Sequence, residues 1–289
     1  MPNQIELFKQ YITLLDEVYK LASLTGVLDG AAELARQGAN ANELIIPKID
    51  MSGLADYSRN SGYVDGEVTL TNETVKCNFD RGRMFTVDYL DNAESAGIAF
   101  GRLASEFIRT KVVPELDAFR LAKYASLDGI STGSGALTSG ANVITALRAA
   151  VNEMDEAEVP STERYLFITP TLAGMIDDLD TSKSKKVMDG FAGVIKVPQT
   201  RFYSSIKQLS GSSGEAAGGY TKGDGAKNIN FEIIHKPAVI QYQKHVAPKV
   251  ISPDANQSSD GWKFGYRNVG IADAYENKVA GIYVHTDAS

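Results

Sequence analysis

The longest regular pattern of apolar and polar positions runs from Asp91 to Asp128, and it predicts a long helix. Apolar residues recur at about the 3.6-residue period of a helix with one buried face, and charged residues occupy the facing positions. The apolar positions are Ala96, Phe100, Leu103, Phe107, Leu116, Phe119 and Ala122. Asp91 and Glu94 have the spacing of a capping box, which predicts a helix start near Asn92. Such a helix would span about 50 Å at about 1.5 Å per residue, which indicates a structural spine.

Pro114 lies near the middle of this helical pattern. A proline removes one backbone donor, and it disfavours the helical conformation of the residue before it, here Val113. The sequence therefore predicts a kink or a short break at this point, in place of an uninterrupted rod.

Strand-like alternation before the spine predicts an extended β-hairpin. Apolar residues alternate with polar ones at Val68, Leu70, Val75, Cys77, Phe79, Phe85, Val87 and Tyr89. The segment Ser58–Gly66 has two glycines suited to tight turns, and Tyr63 is its only large side chain on this interpretation. We expect polar outward side chains and no apolar cluster at the tip, which leaves the hairpin little means of packing on its own domain.

The first 43 residues predict a helix followed by a loosely held arm. A helix from Ile5 to Leu24 would carry one apolar stripe, formed by Ile5, Phe8, Ile12, Leu15, Val18 and Leu21. Two interpretations of the stripe stay open, packing within its own domain and docking on a neighbouring subunit. Charged residues within the helix exclude a signal peptide and a membrane span, and the Gly- and Ala-rich passage that follows predicts the arm.

An α/β order follows the spine. Helices are predicted at Val143–Ala157 and Thr171–Leu179, with strands at Tyr165–Thr169 and Val194–Tyr203 and further β segments towards residue 285. The glycine-rich residues 129–141 predict a flexible linker. They do not fit a phosphate-binding loop, because a helix precedes them and no lysine follows their last glycine.

Composition and charge limit the classes of function. The 289 residues are 43% hydrophobic, enough to bury a substantial core, and the net charge is −7. This charge argues against general affinity for nucleic acid, although an acidic protein could still enclose DNA without adhering to it. Cys77 is the only cysteine, so no intrachain disulfide is expected, and an apolar packing role in a reducing cytoplasm is favoured.

No catalytic, cofactor or metal site is predicted. His235, His245 and His285 have no metal-binding or nucleophile motif near them and are interpreted as structural. Residues 254–265 resemble a calcium loop only superficially, because the glycine and the final carboxylate are misplaced. The acidic residues at 177, 178 and 180 are interpreted as a solvated helix end. A mixed-charge group of Asp80, Arg81, Arg83, Asp88 and Asp91 favours a surface or interface ion-pair network over catalysis.

Three stretches carry a family resemblance: FDRGRMFTVDYLDNAES (79–95), EFIRTKVVPELDAFRLAKYAS (106–126) and FGYRNVGIADAYENKVAGIYVH (264–285). They resemble the major capsid proteins of tailed bacteriophages with the HK97-like fold. The resemblance implies an α+β fold with an N-terminal arm, an extended hairpin called the E-loop, a long spine helix in a peripheral P-domain, and an α/β axial A-domain.

The resemblance also implies a division of the chain. The arm would cover residues 1–43, the E-loop hairpin 44–90 and the spine helix of the P-domain 91–128. The A-domain would cover 129–227, and residues 228–289 would return as strands that complete the P- and A-domains.

By the same resemblance, the chain would assemble in the host cytoplasm into pentamers and hexamers of a virion capsid around double-stranded DNA. Expected partners are further copies of itself, a portal and a scaffolding protein, with no membrane, no sequence-specific DNA binding and no cofactor. Two alternatives stay open, an encapsulin-type bacterial compartment and an α/β enzyme such as a hydrolase. Candidates for contacts between subunits are Arg59, Tyr63, Asp65, Asp80, Arg81, Arg83, Glu106 and Arg109.

Overall fold

The structure is a computed structural model that describes residues 23–30, 36–37, 43–60, 62–89, 98–179 and 182–288. Its helices are α1 (Ile98–Phe107), α2 (Val113–Ala125), α3 (Gly140–Glu156), α4 (Pro170–Asp177) and α5 (Ser182–Met188). Its strands are β1 (Arg36–Gln37), β2 (Glu43–Met51), β3 (Val68–Lys76), β4 (Phe79–Asp88), β5 (Ser131–Ser134), β6 (Arg164–Ile168), β7 (Gly193–Lys196), β8 (Ile206–Gln208), β9 (Tyr220–Lys222), β10 (Ile229–His235), β11 (Val239–Ile251), β12 (Gly261–Ala274) and β13 (Ile282–Thr286). The predicted capping box, and nearly all of the predicted N-terminal helix, lie outside the described residues.

The spine helix comprises α1, a π-helical turn at Ile108–Val112, and α2, which follow one another directly. Its first half packs on a sheet in which β12 lies between β11 and β4. The side chains that form this core are Phe79, Ala104, Ile108, Val113, Leu116, Phe264 and Tyr266. The strand-like alternation at Phe85 and Val87 therefore belongs to β4, which pairs with β12 and does not extend the hairpin.

Of the predicted kink or break at Pro114, the break is wrong, because the chain stays helical through the proline. Val113 has φ −62° and ψ −47°, and its N–H donates to the carbonyl of Ile108, five residues earlier. A π turn is wider than an α turn, so it relieves the crowding between the proline ring and the preceding turn. Pro114 then stands in the first turn of α2, where its missing N–H is tolerated, and the Thr110 hydroxyl donates to the Glu106 carbonyl at 2.7 Å.

The large sheet has the strand order β5-β13-β10-β6-β7 and packs between two layers of helix. One face meets α3 and α4, with the core side chains Val143, Leu147, Met154, Leu172, Ile176, Phe231 and Ile233. The other face meets α2, with Leu121, Tyr124, Phe167, Ile234 and Val284. Alternate residues of β10 thus supply both faces, as expected for a central strand.

The linker predicted at residues 129–141 is wrong in part, because β5 forms within it. Ser131 to Ser134 pair in parallel with Tyr283 to Thr286 of β13. Gly133 faces the ring of Tyr283 so closely that a Cβ would collide with it, which explains a glycine in this edge strand. Ser139 then caps α3 by accepting a hydrogen bond from the backbone of Asn142.

Residues 23–30, here called the arm root, are held against the spine helix by one buried carboxylate. Asp117 of α2 has no solvent exposure. Its Oδ1 accepts from the Thr25 hydroxyl at 2.7 Å and the Ser23 hydroxyl at 2.9 Å, and its Oδ2 accepts from the Leu24 N–H at 3.0 Å. Arg201, in the short turn after β7, reaches the same Oδ2 at 3.5 Å. One side chain therefore joins three parts of the chain.

Two more buried polar side chains extend this network. Arg120 donates to the Thr25 hydroxyl at 2.9 Å and approaches Asp29 at 3.5 Å. Gln241 of β11 donates to the Thr25 carbonyl and to Asp29, each at 2.7 Å, and it accepts from the Tyr124 hydroxyl at 2.9 Å. The arm root is thus bonded to both the spine helix and β11.

We expect Asp117→Asn to destabilise the folded chain by about 3 kcal/mol, because it removes a buried charge whose donors stay buried. The amide would also place N–H groups against the donors of Ser23 and Thr25. Denaturant unfolding measures this loss, and Glu106→Gln on the exposed face of the spine helix is the matched control, with a change within about 0.5 kcal/mol. An equal, small effect of both substitutions would contradict a structural role for the network.

Candidate functional site

The hairpin of β2 and β3 presents an exposed apolar face. Ile49 lies directly opposite Leu70, and Met51 lies directly opposite Val68, so all four side chains share one face of the ribbon. Each is between 60% and 70% exposed. Apolar area on this scale in a two-stranded ribbon is unusual for a surface that stays in water. The expectation of polar outward side chains is therefore wrong for this half of the hairpin.

The tip of the hairpin is folded on itself and is also apolar. Ser52 and Glu67 close its base, with the Ser52 N–H donating to the Glu67 carbonyl at 2.9 Å. Tyr57 packs against Tyr63 with ring centroids 4.9 Å apart, and Tyr63 remains 87% exposed. The other exposed apolar side chains of the tip are Leu54 and Val64. The expected absence of an apolar cluster is wrong, because Leu54, Tyr57 and Val64 lie on the tip beside Tyr63.

Arg59 and Asp65 flank this cluster at exposed positions. Three of the predicted contact residues therefore lie together on the tip: Arg59, Tyr63 and Asp65. Charged groups around an exposed aromatic centre are the usual composition of a protein–protein interface.

The predicted charged group on β4 engages its own chain. Asp80 pairs with Arg267 of β12 at 2.6 Å, on an exposed part of the sheet. Arg81 pairs with Glu115 of α2 at 2.7 Å and donates to the Leu209 carbonyl at 2.7 Å. Two members of the predicted group, Asp80 and Arg81, thus form ion pairs within the chain, and Asp91 lies outside the described residues.

That loop, residues 209–219, is called the strap. Arg81 also donates to the Gly219 carbonyl at 3.3 Å, and Arg83 donates to the Ala216 carbonyl at 2.9 Å, so carbonyl groups along the strap converge on two guanidinium groups. Gly218 has φ +64° and lies against Arg83, where a Cβ would collide with the guanidinium.

Glu215 closes the strap from inside. Its carboxylate accepts from the Ser210 N–H at 2.7 Å and lies 3.1 Å from Lys207. The backbone hydrogen bond from Ser210, with the contribution of Lys207, lowers the pKa of Glu215 to about 2. The strap therefore has a defined shape, unlike a flexible surface loop.

Glu106 and Arg109 form an exposed pair one turn apart on the spine helix, at 2.8 Å. Glu106, together with β4 and the strap, borders an open cleft of about 950 Å³. The cleft is lined mainly by Phe85, Phe107, Leu209, Tyr220 and Tyr266. Its described walls do not join a nucleophile, a base and an orienting group.

The structure places two of the three histidines in the large sheet. His285 stacks on Phe231 at 4.9 Å and lies 3.1 Å from the Asn230 amide, and burial lowers the pKa values of His235 and His285. Across the described ranges, no group of three or more His, Cys, Asp or Glu side chains could hold a metal ion. None of the described helices is both long and apolar enough to cross a membrane.

Solved structures match this fold over most of the chain. A chain of Gordonia phage Cozz is 13% identical, with a TM-score of 0.60 over 92% of this chain and 87% of that chain. The capsid of Myoviridae phage XM1 gives a TM-score of 0.57 at 12% identity, over 91% and 90%. A virus-like particle from Pyrococcus furiosus gives 0.53 at 11% identity, over 93% and 98%.

These matches confirm the predicted fold: the chain has the HK97-like fold found in tailed-phage capsid proteins. At such low identity the likeness establishes the fold alone. The sequence matches no protein-family model and no curated protein.

We expect Arg83→Ala to free the strap without weakening the rest of the chain. Hydrogen exchange in residues 216–219 should accelerate at least about tenfold, with a loss of unfolding free energy within about 1 kcal/mol, because Arg83 lies at the surface.

Arg81→Ala should cost about 2–3 kcal/mol, since it leaves the nearly buried Glu115 without its cation. Arg109→Ala, on the exposed helix face, is the control, and unchanged exchange in both β4 variants would show that the arginines do not hold the strap.

Proposed function

We propose that this chain is a major capsid protein that self-assembles into pentamers and hexamers of an icosahedral shell around double-stranded DNA. The observation that carries the proposal is the exposed apolar face of the hairpin together with its aromatic tip. The HK97-like fold supports it, because the solved proteins that share the fold include phage capsids.

The hairpin is the strongest candidate for a contact between subunits. Four apolar side chains on the ribbon and four more at the tip remain exposed. Burying apolar surface stabilises a protein contact by about 25 cal/mol for each Å² removed from water. The described part of the chain does not cover these side chains. In the proposed assembly a second copy of the chain covers them, and no other component is needed. A contact between two different patches of the same protein is heterologous, and such contacts close into rings when the rotation is suitable.

The division of the chain follows from the same proposal. Residues 1–43 serve as the arm, 44–90 as the E-loop, 91–128 as the spine of the P-domain and 129–227 as the A-domain, with 228–289 returning through both. The pairing of β4 with β12 supports a close connection between the end of the E-loop range and the returning strands.

The predicted contact residues divide into two groups by their surroundings. Arg59, Tyr63, Asp65, Glu106 and Arg109 are exposed, and we propose direct contacts with neighbouring subunits for them. The group on β4, Asp80, Arg81 and Arg83, has partners in its own chain, so we propose that it shapes the strap and the sheet edge that a neighbour meets.

Within this proposal the protein is a structural component and not an enzyme, located in the virion capsid after assembly in the host cytoplasm. Its partners would be further copies, a portal and a scaffolding protein, with DNA enclosed and not bound by sequence. The net charge of −7 agrees with enclosure, because it limits adhesion to the phosphate backbone.

An encapsulin-type compartment is the second candidate, and one observation favours it. The match to the virus-like particle from Pyrococcus furiosus covers 98% of that chain, so the two chains have similar extent. Genes for a portal and a terminase beside this one would support the viral shell, whereas a neighbouring ferritin-like or peroxidase gene would support the compartment.

The tip of the hairpin provides a test that separates assembly from folding. Replacing Arg59 to Asp65 by a short Gly-Ser turn should change the unfolding free energy of the subunit by no more than about 1 kcal/mol, because the segment is exposed. Shell formation should fail or become aberrant, as judged by electron microscopy of the same preparation. Normal shells would show that the tip makes no essential contact, and much earlier unfolding would show that it packs on its own chain.

The assembly state itself is a second test. We expect rings of five or six subunits and closed shells, with about 2,000–5,000 Å² buried between each subunit and its neighbours, because obligate interfaces have this size. Light scattering over several salt concentrations measures the assembly. A protein that stays monomeric at high concentration in all of them would contradict the proposal.

A further inference from the structure

Glu232 is a fully buried carboxyl group without a hydrogen-bond partner. It lies in β10, the middle strand of the large sheet, with no solvent exposure. Neither of its oxygen atoms has a partner among the described residues. Its direct neighbours across the two ladders are Phe167 of β6 and Val284 of β13, both apolar.

The side chain points towards the joint between the large sheet and the spine helix. Alternate residues Phe231 and Ile233 face α3 and α4, so Glu232 shares its face with Ile234, which packs with Leu121 and Tyr124 of α2. The ionisable groups on the elements packed at this joint are Asp29, Asp117, Arg120, Tyr124, Tyr165, Arg201 and Asp273.

The cations among these groups are engaged elsewhere. Arg120 is bonded to Thr25 and Asp29, and Arg201 is bonded to Asp117. The Tyr124 hydroxyl donates to Gln241. Burial is the only cause of the raised pKa of Glu232, with no contribution from a described cation. The residues of β13 nearest to it on this face, Ile282 and Val284, are apolar.

An ionised carboxylate in such a place is very costly, because water is lost and no donor or cation replaces it. The neutral acid costs much less, since it carries no net charge. Burial accordingly raises the pKa of Glu232 well above its ordinary value of 4.5.

We infer that Glu232 enters the folded core as the neutral acid, and that this makes the joint between the large sheet and the spine helix weaken as the pH rises. The inference concerns the subunit alone and does not depend on the proposed shell.

The direction of the change in stability with pH follows from the proton bound in the folded and in the unfolded chain. Below the unfolded pKa of about 4.5 both states keep the proton, and the full stability is present. Above it the unfolded chain loses the proton while the folded chain keeps it, so stability falls until the pH passes the folded pKa. Over that window the unfolding equilibrium constant rises about tenfold per pH unit for one proton.

The buried histidines act in the opposite direction at lower pH. Because burial lowers the pKa values of His235 and His285 from 6.5, the unfolded chain binds more protons there and stability rises with pH. The parent and the Glu232 variant share these histidines, so the difference between their slopes isolates the contribution of Glu232 at any pH above its unfolded pKa.

The test compares the pH dependence of unfolding of the parent, Glu232→Gln and Glu156→Gln, at one protein concentration and in one assembly state. Glu156 is an exposed glutamate at the end of α3, so its substitution controls for the change in net charge. From about pH 5.5 up to the pH at which the folded chain itself releases the proton, the unfolding constant of the parent and of Glu156→Gln should rise about tenfold per unit more steeply than that of Glu232→Gln. Equal slopes in all three proteins would overturn the inference.

A second measurement keeps the inference testable if Glu232→Gln does not fold. A neutral carboxylic acid without a hydrogen bond has an infrared carbonyl band separate from those of carboxylates and amides. The folded parent should show this band at about pH 5.5, where an ordinary glutamate is already ionised, and unfolding should remove it as the carboxyl group ionises. A folded parent without the band would overturn the inference whatever the variant does.

Discussion

The burial of Asp117 is the constraint on which the arrangement of the chain depends. A carboxylate buried inside the fold is tolerable only when donors surround it, and those donors come from the arm root and from the turn after β7. Neither segment contacts the spine helix through sequence proximity, since the arm root precedes Asp117 by more than ninety residues. The hydrogen bonds that this one charge requires thus fix two segments against the spine helix, the arm root and the turn after β7.

The same molecule distributes its apolar side chains unevenly. Those of the large sheet and of the spine helix are closely packed in continuous clusters, whereas the hairpin leaves Ile49, Leu70 and Tyr63 in contact with water. A stable chain with a complete core can carry such a projection because the core does not depend on it. Under the proposed assembly, folding of the subunit and contact between subunits would therefore be governed by different residues.

Sequence periodicity identified the spine, the hairpin and the α/β order because these depend on neighbouring residues. It could not identify Asp117 as the centre of a network, because its partners Thr25 and Arg201 are brought to it only by tertiary structure. The apolar face of the ribbon was missed for a related reason: Ile49 and Leu70 meet only in one register, which the long connection between β2 and β3 does not reveal. Pro114 is a different case. The expectation that proline ends a helix depends on neighbouring residues alone, and here a π turn before the proline makes room for its ring.

The position of β13 has a consequence for how the protein is made. Of the five strands in the large sheet it is the last to be synthesised, yet it is an interior strand that lies between β5 and β10. While the ribosome has not yet passed residue 286, β5 therefore has no strand to pair with and β10 keeps an open edge. A chain that ends before β13 therefore lacks the strand that joins β5 to the rest of the large sheet.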